Sequence, residues 1–439
     1  MVDISSDIQT TPSLPKSTTV AVIGGGVAGV SAALFLARWG IPVVLCEKGR
    51  IAAEQSSRNW GWIRRQGRDV RELPLMIESF RLWRELNTEL DQDIGYRQGG
   101  ALYLAETEDE LATRAAWLEA AEGFQLGTRL LSPIEVDNIL GQNERRFKGG
   151  LHTPSDAYAE PSLAVPALAR LAERHGAQLF EKTAVRTIEH QGGRISGVIT
   201  EHGSIQCDTV ILAGGVWSRP FLENLNLGLA LPQLAIKSSV QRTSEAPLIS
   251  TSTVGASGAS IRPRIDGGYT VARTGAASFD LIPAAFRHFL AFSPILLERW
   301  RILNIRLGRS FFGALGSKRW QPDQLSPFEQ VRVFDPAPDA KLLDDVLNAA
   351  KDLFPQLRQV KPLARWGGMI DVTPDELPVC DHIDRMPGLV LATGLSGHGF
   401  GLGPGIGYLA AQMASERQPC VDTTAFRYDR FRATRTGKP

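Results

Sequence analysis

Between Val20 and Cys46 the chain reads VAVIGGGVAGVSAALFLARWGIPVVLC, and no other stretch restricts its fold as much. Val20 to Ile23 is a short apolar run of the buried-strand kind and Val43 to Cys46 is a second, while Val30, Ala33, Leu34 and Ala37 recur at helical spacing between them. The turn that joins strand to helix is Gly24-x-Gly26-x-x-Gly29. Glycines at 24 and 26 let the backbone approach a pyrophosphate where a Cβ would intrude. Gly29 lets helix and strand pack closely, and the helix N-terminus faces the anion. The second strand delivers Glu47, 18 residues after Gly29, with a carboxylate placed to accept hydrogen bonds from both ribose hydroxyls of an adenosine. A 2′-phosphate would be repelled there. The expectation is a dinucleotide site, with FAD and NAD both open on this motif alone.

Two further stretches favour FAD. CDTVILAGGVWSR (207–219) is an apolar strand ending in Ala213-Gly214-Gly215, and GLVLATGLSGHGFGLGPGIG (388–407) is another strand that runs into a glycine-rich loop. Two more close backbone approaches suit one long ligand threading the sheet edge. A helix beginning near Pro404 would point its positive end at the flavin pyrimidine carbonyl.

At 439 residues the chain is long enough for two domains, and 48 basic against 47 acidic residues give a formal net charge of +1, without the excess of base that nucleic-acid binding needs. Cys46, Cys207, Cys380 and Cys420 are far apart and form no CxxC pair, so neither a disulfide framework nor a metal site is expected. The compartment is expected to be reducing and the location cytoplasmic. MVDISSDIQTTPSLPKS (1–17) lacks the apolar core of a secretory signal and is read as a disordered lead-in. LIPAAFRHFLAFSPILLERW (281–300) is greasy, yet its uncharged run, His288 to Leu297, is 10 residues long and holds Pro294. A bilayer crossing needs about 20 apolar residues, so the segment does not span.

Taken with EKGRIAAEQSSRNWG (47–61), TAVRTIE (183–189), LAGGVWS (212–218), TPDELPV (373–379) and GLSGHGFGLGPG (394–405), the chain resembles the D-amino-acid oxidase superfamily of flavoproteins, which includes glycine oxidase, sarcosine oxidase and D-amino acid dehydrogenases. Within it the chain is most similar to the membrane-associated bacterial L-amino acid deaminases, through the EKG-x-IA-x-EQSSR run, SPFE at 326–329, the TPDE-type loop and the apolar insertion. The resemblance implies an α/β fold: a Rossmann-like FAD-binding domain with a discontinuous α+β substrate domain around an antiparallel sheet. It places Gly24, Gly26 and Gly29 on the pyrophosphate, Glu47 on the ribose, Ser56 and Ser57 beside phosphates and ring, and Val185 on the adenine through its backbone. Gly397, His398, Gly399, Gly401 and Gly403 would surround the flavin edge, and Val27, Ala28, Lys48, Ala213, Gly214 and Trp217 complete the expected cofactor contacts. Relatives with covalent flavin use a cysteine just ahead of the TPDE-type loop; Gly368 stands near that place, which implies non-covalent FAD.

An amino-acid oxidoreductase needs a fixed guanidinium, because a bidentate carboxylate clamp orients the α-carbon C–H. IRPRIDGGYTVAR (261–273) reads as two strands joined at Asp266-Gly267, and the deaminase likeness gives the clamp to Arg262, with Arg264 and Arg273 on the same hairpin. NWGWIRRQGRD (59–69) offers Trp60, Trp62, Arg64 and Arg65 as a second wall, from which Arg64 or Arg65 could serve instead. Tyr269 and Trp366 are candidate aromatic walls, and His398 is the histidine inside a motif. The expected reaction is FAD-dependent oxidation of an amino acid C–N bond by hydride transfer to flavin N5, giving an imine that hydrolyses to an oxo acid and ammonia. One alternative substrate is a secondary amine, such as an N-methyl, cyclic or N-carboxyalkyl amino acid. Another reading is a flavin-bound interaction protein without turnover. A quinone, a respiratory carrier or O2 would take the electrons. Segment 281–307, with Arg287, Arg299, Arg301 and Arg306 among apolar residues and Pro283 and Pro294 starting or breaking its helices, would dock peripherally on the inner face of the cell membrane, cap the active site or form a dimer interface. The expected FAD domain is 18–92, 148–226 and 361–425; the substrate domain is 93–147 and 227–360 with the insertion at 279–307, and 426–439 is a tail.

Overall fold

The computed structural model describes residues 13–141, 146–299, 303–316 and 319–431. The opening motif folds as its pattern demands. β1 (Val20–Ile23) and β2 (Val43–Cys46) are buried parallel neighbours, and α1 (Val27–Arg38) crosses between them with Val30, Ala33, Leu34 and Ala37 all buried. Thr209–Leu212 pairs with β1 on its other side, Leu389–Thr393 follows and Gln178–Phe180 flanks β2, all parallel. Val379–His382 closes the six-stranded sheet antiparallel. Near-continuous apolar strands are what a parallel sheet covered on both faces requires. Val185–Gln191, Arg194–Thr200 and Gly203–Gln206 form a separate three-stranded antiparallel sheet.

The second layer is a ten-stranded sheet, mostly antiparallel, whose longest pairing joins Leu234–Thr243 to Pro362–Val372. Ser260–Pro263 and Tyr269–Ala272 form the expected hairpin within it. Gly149–Thr153 pairs with Ala101–Ala105 in the same sheet, so 149–153 and 362–372 belong with the substrate layer although their sequence neighbours build the FAD layer. The boundaries expected at 148 and 361 therefore shift. Ala340–Leu353, N-capped by Asp339, buries Leu343, Val346, Leu347, Ala350 and Leu353.

The insertion leaves and rejoins this sheet at one edge. Ala277–Asp280 runs into helices Pro283–Arg287 and Phe289–Arg299, and Leu303–Arg306 returns parallel beside it. Pro283 starts its helix, whereas Pro294 sits inside the second one. Ile282, Ala284 and Phe292 pack on the core; Phe286, Phe289, Leu290, Leu297, Leu307 and Phe312 face outward, Leu290 at 84% and Phe312 at 78% exposure. Arg301 and the side chain of Arg299 lie outside the described residues. No described helix is long and apolar enough to cross a membrane.

Both chain ends depart from expectation. Residues 1–12 and 432–439 lie outside the described residues, but Lys16 and Thr18 pair with Gln206 through the backbone. Phe426 is buried, the Tyr428 hydroxyl accepts from the Ala230 N–H at 2.8 Å, and Arg430 reaches Asp375 at 2.8 Å. The lead-in and the tail are thus partly built into the fold.

Candidate active site

One cavity of about 580 Å³ runs between the two layers. At its nucleotide end Gly24 has φ +110° and receives the Cys46 carbonyl on its N–H at 2.9 Å. A Cβ on Gly29 would stand 2.0 Å from the Gly24 carbonyl oxygen, so this contact holds α1 against β1. Ser56 Oγ accepts from the Val27 N–H at 2.8 Å, while Gly26, the N-cap, leaves the start of α1 open to the cavity. Glu47 accepts from the Gly25 and Gly49 N–H groups, both at 2.7 Å, and burial pushes its carboxyl up despite Lys48 and those two donors.

Gly24, Gly26, Val27, Ala28, Glu47, Lys48, Ser56, Val185, Ala213, Gly214, Trp217, Gly397, His398 and Gly399 all line this cavity. The chemistry of this lining fits FAD: a glycine turn, an open helix N-terminus and a carboxylate at the tip of β2, with a glycine-rich loop at the far end. The Lys48 ammonium is committed to structure. It bonds the Val331 and Arg332 carbonyls at 2.8 and 3.0 Å, pairs with Glu54 and lies 4.5 Å from the Trp217 ring centre.

Four expected cofactor contacts lie outside the cavity lining, the first being Gly29, whose place is the packing of α1 on β1. Ser57 is buried and bonds the Glu54 carbonyl. Gly401 and Gly403 belong to the Gly399–Ala414 helix, which begins five residues before Pro404, the residue near which its start was expected. A Cβ on Gly403 would meet Val27 Cγ2 at 2.2 Å, and one on Gly401 would meet the Trp62 carbonyl at 3.2 Å. The alternating glycines of this run seat the helix on α1 and on Trp62, and the Gly401 carbonyl accepts from Ser79 and Trp83. Gly399 and Phe400, at the start of the helix, do reach the cavity.

The other end carries the expected arginines, in a different assignment. Arg262 is 1% exposed and does not line the cavity. Both terminal nitrogens hold the Glu160 carboxylate at 2.9 Å, Nη2 also donates to Thr270 Oγ1, and Nε donates to the Trp60 carbonyl. A guanidinium spent on a buried carboxylate has no face left for a substrate, so the clamp expected at Arg262 is not formed there. Arg264 also reaches Glu160, at 3.0 Å. Tyr269 is buried, its hydroxyl donating to Pro247 and accepting from the Ile249 N–H, and Trp366 donates to the Arg58 carbonyl outside the cavity lining. Neither is a substrate wall.

Arg273, one residue past the hairpin's second strand, does line the cavity and is exposed to it. Arg64 lines it too, with its guanidinium 5.2 Å from the Tyr103 ring centre and 6.0 Å from that of Trp62. Trp60 and Trp62 are on the wall as expected, whereas Arg65 pairs with buried Asp156 at 3.0 Å. His398 Nδ1 lies 3.1 Å from Glu72 Oε2. Burial, then Arg68, lowers the imidazole's pKa, so His398 is neutral near pH 7. Burial would raise Glu72, but His398 and then Arg68 hold it below the usual carboxylate range.

Several residues went unforeseen. Asp371 is buried and anchors the flavin-edge loop: its Oδ2 accepts from the Gly394 N–H at 2.8 Å and from Gln233, and its Oδ1 accepts from Gln55 at 2.8 Å. Gln55, Asp371, Tyr103 and Arg68 all line the cavity. Gln55 and Arg68 stood inside stretches already singled out, and Asp371 lies just ahead of the TPDE-type loop; nothing local marks Tyr103 or Gln233.

Comparison with known proteins identifies the family. The family model described as FAD dependent oxidoreductase matches residues 19–413. The structure of L-amino acid deaminase from Proteus myxofaciens, in complex with anthranilate, superposes with a TM-score of 0.90 at 32% identity, covering 96% of this chain and 95% of that one. L-amino acid deaminase from Proteus vulgaris gives 0.89 at 29% identity, covering 96% and 99%. Glycine oxidase from Pseudomonas aeruginosa is 25% identical over 425 residues, 93% of this chain and 98% of that protein. The chain spans only 23% to 24% of the length of the first curated relatives it matches. The cofactor is accordingly FAD, and the chain belongs to the FAD dependent oxidoreductase family.

Proposed function

We propose that this chain is an enzyme that oxidises the C–N bond of an amino acid, with Arg273 as the partner of the α-carboxylate. The observation that carries this reading is one cavity whose lining holds both the dinucleotide turn and the guanidinium-bearing Arg64, Arg68 and Arg273, so cofactor and a small anion share one chamber. Bound FAD supplies the acceptor for the hydride, and water then converts the substrate imine to an oxo acid and ammonia. The chain's own residues bind and orient. Trp60, Trp62 and Tyr103 form an apolar wall beside Arg64. His398, kept neutral by burial and Arg68 and oriented by its bond to Glu72, adds no cation that would repel an incoming ammonium group.

Anaerobic bleaching of the flavin by L-amino acids, D-amino acids and secondary amines tests the reading, which fails if none of them reduces it. Arg273→Leu is expected to raise the half-saturating substrate concentration in that titration about 10- to 100-fold at unchanged FAD content, since it removes a charge-assisted pair. An unchanged titration would take the clamp away from Arg273.

The outward face of the insertion supports docking on a membrane surface, where a quinone could take the electrons, because seven large apolar side chains between Phe286 and Phe312 are exposed together. Wild-type holoenzyme is expected to sediment with phospholipid vesicles. A Leu290→Asp, Phe312→Asp variant should stay in the supernatant with its flavin bleaching intact. Failure of the wild type to bind vesicles would leave this face to a protein partner.

A further inference from the structure

The cavity lining around Arg64 and Arg68 holds more positive charge than its neighbours offset. Arg68 is 4% exposed and lines the cavity; its Nε donates to the Arg64 carbonyl at 3.3 Å. Its buried Nη1 has no hydrogen-bond partner among the described residues. Leaving such a donor unmet costs the desolvation of a charged group, so its geometry suits an anion that arrives from the cavity. Burial first, and then the neighbouring Arg64, depress the Arg68 pKa to about 10, which still leaves it charged near pH 7.

The nearby carboxylates do not balance the pair. Asp156 is held by Arg65 at 3.0 Å, and Asp69 by Arg71 at 2.8 Å. Glu72 is the carboxylate felt by both Arg64 and Arg68, and it also bonds His398. His398 is neutral, Asp156 acts on Arg68 as well from its pair with Arg65, and Arg273 is a further cation in the lining of the same cavity. The cofactor's phosphates belong at the α1 end, so they do not meet this charge.

Resting on the amine-oxidation reading above, we propose that the substrate is a dicarboxylic amino acid, whose second carboxylate, on the side chain or on the nitrogen, is bound by Arg68 and Arg64 while Arg273 takes the α-carboxylate. A site built around buried donors rejects the analogue that lacks the matching acceptor, because the donors are then left unpaired. The wall thus acts as a selector for charge.

The test uses the holoenzyme and needs no turnover in its first arm. Succinate and glutarate are titrated against butyrate and valerate through the change in the flavin visible spectrum. The dicarboxylates are expected to bind about thirtyfold more tightly, the factor one charge-assisted hydrogen bond commonly supplies, and Arg68→Gln should abolish the difference. In the second arm both enantiomers of glutamate and aspartate, their amides, and N-carboxymethyl amino acids are offered anaerobically. Bleaching by side-chain acids or by N-carboxymethyl compounds identifies where the second carboxylate sits. Equal binding of mono- and dicarboxylates, or amides that bleach as readily as the acids, overturns the proposal and spares the amine-oxidation reading. Tight dicarboxylate binding with no bleaching by any amine does the reverse: the two-anion site stands and the oxidation falls. Should Arg68→Gln fail to fold, the comparison of ligands on the wild type decides alone.

Discussion

Arg262→Leu is expected to cost about 3 kcal/mol of folding stability, the low end of the 3–5 kcal/mol range for breaking a buried ion pair. The low end applies because Glu160, the N-cap of the Pro161–Arg174 helix, would keep Arg264 at 3.0 Å and the Ile265 N–H at 3.2 Å. Arg262 supplies the two shortest bonds to that carboxylate, each 2.9 Å, and pins the Trp60 carbonyl at 2.6 Å. Urea unfolding of the holoenzyme reads the loss. A double variant, Arg262→Leu with Glu160→Leu, should recover most of it, since a buried pair replaced by apolar residues is often neutral. Normal stability combined with a large rise in half-saturating substrate would return Arg262 to the clamp.

That case marks where sequence reasoning stops. Arg262 and Arg273 sit on one hairpin, and local pattern gives both to a half-buried strand region. What separates them is Glu160, about a hundred residues away in sequence but bidentate to Arg262 in space, a fact that only the packed sheet supplies. The glycine turn and Glu47 were legible because their constraint is local: backbone conformation and the reach of one strand decide them. Gly401 and Gly403 were misassigned for the converse reason. A glycine that admits a ligand and one that admits a neighbouring helix look alike in sequence, and Val27 of α1 fills the space at Gly403. Strands 149–153 and 362–372 were given to the wrong layer because they abut FAD-layer segments in sequence but hydrogen-bond across to the other sheet. Arg68 lay inside the stretch marked as a wall, yet its significance rests on which carboxylates its neighbours had already taken, and pattern carries no record of that.

Gly29→Val should abolish cofactor retention. The Cβ alone would stand 2.0 Å from the Gly24 carbonyl oxygen and 3.3 Å from the Ala213 Cβ, and both are held by the central sheet: the Gly24 N–H bonds Cys46 and the Ala213 N–H bonds Ile23. Rotating a side chain cannot relieve a clash with backbone. α1 must move off β1, and its N-terminus, with Gly26 as N-cap and the Val27 N–H bonded to Ser56, is the end that opens on the cavity, so relief of the clash and loss of the anion site are one event. Gly40 supplies the control. Its φ is +71° but nothing lies within 4 Å of its Cβ, so Gly40→Ala meets only the left-handed backbone cost, roughly 1–2 kcal/mol, far from the site. Purified Gly29→Val is expected to lack the visible flavin spectrum and to regain none of it on dialysis against excess FAD, while Gly40→Ala stays yellow. A flavin-replete Gly29→Val would mean that the helix yields without disturbing its own N-terminus, and the pyrophosphate would then have to be held by the Gly214 and Gly397 loops at the cavity's other walls.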